Sequence, residues 1–105
     1  MSIPTDDNRD LLTVVAVMRA KAGKEEELQA ALESLIEPTH AEDGYHTYAL
    51  HRGTEDPAVF IFYENWTSAA HLDAHLATPH LQGFLPKIPE LIDGELVINR
   101  LKRVA

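Results

Sequence analysis

The chain of 105 residues contains no cysteine. That excludes a disulfide framework, a thiolate nucleophile and a sulfur-based metal site. A reducing interior fits such a composition. No apolar run approaches the roughly 20 residues of a membrane span. Basic residues are scarce: 9 stand against 17 acidic ones, a formal charge of −8. Nucleic-acid binding needs a basic face, and so does an anionic lipid surface; neither is provided. The first residues lack the basic start and apolar stretch of a secretory signal, so the expected location is cytoplasmic. Also missing are G-x-G-x-x-G, a P-loop and G-x-S-x-G, which argues against a nucleotide cofactor fold and an acyl-serine hydrolase. There are no internal repeats and no low-complexity segments.

What is present reads as one globular domain. The apolar fraction is 45 %, and a chain of this length can bury roughly two thirds of its unfolded surface. Met1–Asp10 is expected to be a polar, flexible arm, and 11–105 a single domain. Leu11–Ala20 is rich in β-branched residues and reads as a buried strand before a turn at Lys21–Gly23. Leu28, Ala31, Leu32, Leu35 and Ile36 form one helical stripe, with Glu25, Glu26 and Glu27 in the first turn, where the helix dipole favours anions. Pro38 is expected to kink or end that helix, and Gly44 suits a left-handed stop. Tyr45–Arg52 and Ala58–Trp66 read as strands joined by the turn chemistry of Gly53–Pro57. The third strand is apolar on both parities, so both its faces are expected to be covered. Thr67 or Ser68 caps a second helix running to about Ala77. Thr78 and Pro79 restart a helical segment, with Leu81, Phe84 and Leu85 on its apolar side, and Pro86 and Pro89 are expected to break it. Glu95–Arg103 reads as the last strand.

The order β-α-β-β-α-β predicts an α+β, ferredoxin-like fold: a four-stranded antiparallel sheet with helices on one face. Such a sheet leaves its other face open, and large apolar side chains on both parities of strand three would then meet water. A second copy packed sheet to sheet, in a homodimer, is the economical remedy.

The run Glu64–His80 holds the candidate chemistry: a carboxylate, an indole and three imidazoles. Period two puts Phe60, Phe62, Glu64 and Trp66 on one strand face, and the sequence leaves open which face meets the helices. If the aromatic face does, Glu64 enters an apolar pocket beside the helix carrying His75, and its pKa rises. His75 is then the candidate general base or hydrogen-bonding anchor, with Glu64 orienting or tuning it. Trp66, Phe62 and Tyr48 would wall a planar aromatic ligand, with His80 nearby. Plainer readings compete. Glu64 could pair with Arg52 across strands, core and pocket wall weigh equally for Trp66, and His40, His46, His51 and His71 read as surface or structural residues. His71 and His75 at i, i+4, with His80, could hold a metal, but no second carboxylate completes the set and no metal is expected.

The pattern E-x-W-x-S-x-x-x-L-x-x-H-L-x-T-P-H over Glu64–His80 resembles the signature of the antibiotic biosynthesis monooxygenase family, nearest its quinol monooxygenase-like branch. The Val14-Val15-Ala16 strand, the Lys21–Lys24 turn and the Pro38-Thr39…Gly44 segment resemble the family too. That resemblance implies a dimeric α+β barrel and insertion of oxygen, without flavin, haem or metal, into a small electron-rich aromatic such as a quinol. Molecular oxygen and the aromatic would be the partners, no cofactor would be needed, and a histidine would stand at position 75. Two departures narrow this. Anthrone oxygenases of the family carry an asparagine four residues before the tryptophan and a tyrosine six after it, where this chain has Phe62 and Leu72. Haem-degrading members carry asparagine, tryptophan and histidine where this chain has Ala16, His75 and Leu85. The rival readings are a non-oxygenating isomerase or degradation enzyme on the same fold, and a ligand-binding dimer without chemistry.

Overall fold

A computed structural model describes residues 10–105. The expected arm over 1–10 lies outside the described residues, apart from an exposed Asp10. The elements follow as β1 (Leu12–Arg19), α1 (Glu25–Glu33), α2 (Ile36–His40), β2 (Tyr45–Arg52), β3 (Val59–Trp66), α3 (Ala69–Leu76), α4 (Pro79–Phe84), a 3-10 turn (Leu85–Lys87), α5 (Ile88–Leu91) and β4 (Val97–Lys102). The four strands form one antiparallel sheet in the order β2-β3-β1-β4. This is the expected ferredoxin-like α+β arrangement, with the helices on one face.

Register decides which residues lie under the helices. Leu12, Val14, Ala16 and Met18 of β1 pair with Trp66, Glu64, Phe62 and Phe60 of β3. Paired residues project to the same face, and nearly all of these are buried. The aromatic face of β3 is thus the covered one. Leu28, Leu32 and Leu35 close the core from α1 and the turn after it, Leu72 from α3, and Leu81 and Phe84 from α4. Fully burying side chains such as Phe60 or Leu28 contributes about 1.5–3 kcal/mol each, and both are wholly inaccessible.

Three local outcomes differ from the expectations, and a fourth feature, the open sheet face, meets one. The first helix stops at Glu33, and a new one starts at Ile36. Pro38 has no N–H to offer Ser34 O, so the ladder fails one turn ahead of the proline. Pro86 and Pro89 do not break the chain's coiling; each stands in the first turn of a short helical element, where its missing N–H costs nothing. In β2 the register slips between Tyr45 and Thr47, so His46 is bulged out. The bulge brings Tyr45 to the same side as Tyr48, opposite Trp66. Finally, one face of β3 is uncovered within this chain: Tyr63 is 42 % exposed, and Val97 (49 %) and Leu101 (44 %) share that face on β4.

Candidate active site

Two caps fix the helices that carry the imidazoles. Ser68 accepts from His71 N and starts α3, and Thr78 accepts from Leu81 N and starts α4. The Thr78 hydroxyl also donates to His75 O at 2.7 Å, which locks the short corner between the two helices. His75, in the last turn of α3, is only 2 % exposed and lies over the sheet. Its ring centroid is 4.6 Å from that of Trp66 and 5.2 Å from that of Tyr48. Tyr48 stacks on Phe62 at 4.4 Å.

Polar contacts sort these groups into two sets. Glu64 is 4 % exposed, and its Oε1 accepts the indole N–H of Trp66 at 2.9 Å. His75 Nδ1 lies 2.8 Å from Oε2 of Glu42, and His80 Nε2 approaches the same oxygen at 2.7 Å. A carboxylate can only accept, so both nitrogens present protons to it. The carboxylate that orients His75 is therefore Glu42, and the expected Glu64–His75 pairing gives way to Glu64–Trp66. The cause is topological: Glu64 and Trp66 are two apart on one strand face, while Glu42 sits in the turn before β2, opposite the end of α3. Arg52 is no partner of Glu64 either; it binds Glu26, Gln29 and the Pro57 carbonyl.

Burial shapes the protonation states. Glu64 is pushed up to about 7, chiefly by desolvation, against the pull of the Trp66 hydrogen bond and with help from the charge of Glu42. His75 falls below the ordinary imidazole value, again mainly by desolvation, with Glu42 opposing the fall. The Tyr48 phenol is raised, first by burial and then by Glu64. At neutral pH the site thus favours a neutral imidazole with its proton on Nδ1, a protonated phenol and a carboxyl poised between its two forms.

A cavity of about 40 Å³ lies between sheet and helices. Tyr48, Phe62, Glu64 and His75 line it, and the rest of its wall is apolar, from Val14 and Ala16 across to Leu81, Phe84 and Ile98. His75, whose Nδ1 is engaged by Glu42, is among the residues that line the cavity. Trp66 does not line the cavity; it supports the His75 ring from below. His80 is likewise off the lining and serves as the outer partner of Glu42. A larger hollow of about 680 Å³ sits on the open sheet face, by Thr13, His46, Tyr63, Leu101 and Arg103. It carries none of the buried titratable groups, which line or flank the smaller cavity instead.

Of the six residues singled out beforehand, the structure gathers His75, Glu64, Tyr48, Phe62 and Trp66 into one cluster, with His80 at its edge. His71 turns away, to Ser68 and Asp43. Sequence reasoning missed Glu42, which carries no periodic signature; the one available hint was Gly44, whose tight turn folds the preceding residues back toward the sheet. The ligand atoms of Glu42, His75 and His80 lie within 4.8 Å of one another, in place of the His71-His75-His80 set considered from spacing. No helix among the described residues is long and apolar enough to cross a membrane.

Comparison with known proteins bears on the family and the fold. The pattern of the family described as antibiotic biosynthesis monooxygenase matches residues 11–87. The Escherichia coli protein named "Probable quinol monooxygenase YgiN" is 35 % identical, over 83 % of this chain and 89 % of its own length. Synechocystis sll1783 is 32 % identical over 79 % of this chain, which spans only 56 % of that longer protein. The crystal structure of PA3566 from Pseudomonas aeruginosa superposes with a TM-score of 0.86 at 32 % identity, covering 91 % of this chain and 96 % of that one.

Proposed function

The chain belongs to the antibiotic biosynthesis monooxygenase family, and we propose that it is a cofactor-independent monooxygenase of a small electron-rich aromatic, a quinol, with a base in its apolar cavity. The observation that carries this reading is His75, buried, held below the ordinary imidazole pKa, bound through Nδ1 to Glu42 and lining a cavity walled with aromatic and aliphatic side chains.

The chemistry asks little hardware. Ground-state oxygen reacts slowly with closed-shell molecules, but a quinolate anion can give it one electron. His75 Nε2 takes the quinol proton, and the Glu42 carboxylate steadies the imidazolium that results. The anion reduces oxygen, the radical pair recombines at a ring carbon, and collapse releases water. One oxygen atom enters the ring and the other leaves as water; the quinol supplies the electrons and emerges as a hydroxylated quinone. Glu64, protonated in part near neutrality, can donate to the oxygen that leaves. Tyr48 and Phe62 stack against the ring, Trp66 holds His75 in place, and the aliphatic wall keeps water away.

The cavity must widen to admit such a ring. Benzene occupies an apolar protein cavity of about 150 Å³, against about 40 Å³ here. The run of short helical elements after Thr78 brings Leu81, Phe84 and Leu85 to the wall, and these are the side chains a ring would have to displace. A second copy of the chain is proposed to cover the open sheet face, because Tyr63, Val97 and Leu101 otherwise stay in water. The test is oxygen uptake by metal-stripped protein with a panel of hydroquinones. Uptake above autoxidation that disappears in His75→Ala supports the reading; equal uptake by a folded His75→Ala variant refutes the assignment of the base.

A further inference from the structure

The proposed reaction takes its proton at Nε2 of His75; on the Nδ1 side, where Glu42 would steady the imidazolium, a second imidazole meets the same carboxylate oxygen. We propose that Glu42, His75 and His80 form a binding site for one divalent transition-metal ion of the zinc type. The donor set, two imidazoles and a carboxylate, suits zinc, cobalt or nickel and not calcium or magnesium, which prefer oxygen alone. The spacing suits it too. Such donors bind at about 2.0–2.2 Å, so neighbouring donors around one tetrahedral ion stand about 3.4 Å apart, slightly wider than the hydrogen bonds the ion would replace. Both nitrogens here are 2.7–2.8 Å from the shared Glu42 oxygen, and all three atoms lie within 4.8 Å. A small swing of the Glu42 carboxylate admits the ion between them.

The supports are stiff. The Thr78 corner joins His75 to His80, with its hydroxyl donating to one helix end and capping the next. Glu42 follows α2 in a turn closed by Glu42 N to Thr39 O. The Thr39 and Thr78 hydroxyls stand 3.4 and 3.2 Å from His80 Nε2 and are placed to receive a metal-bound water. Access is one-sided: the side chains of Glu42 and His80 keep 13 % and 19 % exposure, while His75 closes the inner end. An ion therefore enters from solvent without passing through the cavity. On occupation His75 Nδ1 becomes a ligand and its ring proton moves to Nε2. The cavity side then offers a donor where the oxygenase reading needs a base, so the ion inhibits. That consequence rests on the proposed function; binding itself does not.

The experiment is calorimetric titration of the chelator-stripped full chain with zinc chloride, in the absence of any quinol. The expected result is one ion per chain, with affinity reduced at least tenfold in Glu42→Gln and in His80→Ala and unchanged within twofold in His71→Ala. In the wild-type protein, imidazole 15N spectra should show zinc moving His75 Nδ1 and His80 Nε2 and leaving the His71 and His51 rings in place. Absence of stoichiometric binding overturns the site. So does affinity undiminished in the first two variants, or a spectral response confined to other histidines.

Discussion

Replacing Glu64 by glutamine keeps the oxygen that accepts the Trp66 indole and removes the charge that burial penalises, so it isolates the electrostatic cost of this carboxyl. The group is 4 % exposed and is raised from an ordinary 4.5 to about 7. A raised acid is one the folded state prefers protonated. Its contribution is therefore fully present below about 4.5 and is lost as pH climbs through 7. At about 1.4 kcal/mol per tenfold change in proton affinity, the loss amounts to about 3 kcal/mol by pH 9. Glutamine carries no such loss. Urea unfolding at fixed protein concentration should find the variant near wild-type stability at pH 4.5 and about 3 kcal/mol more stable at pH 9, with the difference opening between those limits. A stability difference that stays flat across that range would refute the placement of Glu64 as a desolvated carboxyl.

Other outcomes follow from the same packing and hydrogen bonds. Phe60→Ala empties a fully inaccessible core position and should cost about 3–5 kcal/mol in chemical unfolding. Gly44→Ala meets two obstacles: φ is +81°, and the new Cβ would stand 2.2 Å from His71 Cδ2. It should destabilise by more than about 1 kcal/mol and displace the His71 ring, seen as a changed imidazole resonance. Because desolvation lowers His75, the acid limb of kcat/KM should fall below pH 6.5, and Glu42→Gln, which removes the opposing charge, should move it lower still. Tyr63→Glu or Leu101→Glu on the open face should turn the proposed dimer into monomers in sedimentation velocity.

Much of the site was legible in the sequence because two periods generate it. The alternation of β3 put Phe62, Glu64 and Trp66 together, and the helix opening at Ser68 carried His75 back over them. Tyr48 joined by cross-strand register with Glu64. What escaped lies where period says nothing. Glu42 reaches His75 from a turn, and the direction of its side chain depends on the path between α2 and β2. The bulge at His46 reverses parity within β2 and carries Tyr45 to the covered face, where it stacks on His40 at 4.7 Å. The prolines were read as stops, yet Pro86 and Pro89 sit in first turns and let short helical elements follow one another. Fold class depended on none of these, since strand order and the single covered face come from element sequence and hydrophobic pattern alone.

The central claim is that oxygen from the gas enters a quinol through a base at His75. Mass spectrometry of product formed under 18O2 tests it directly. The account predicts one labelled oxygen atom per hydroxylated quinone from the wild-type protein and none above autoxidation from a folded His75→Ala variant. Product without label, or labelled product at the wild-type rate from that variant, would contradict it.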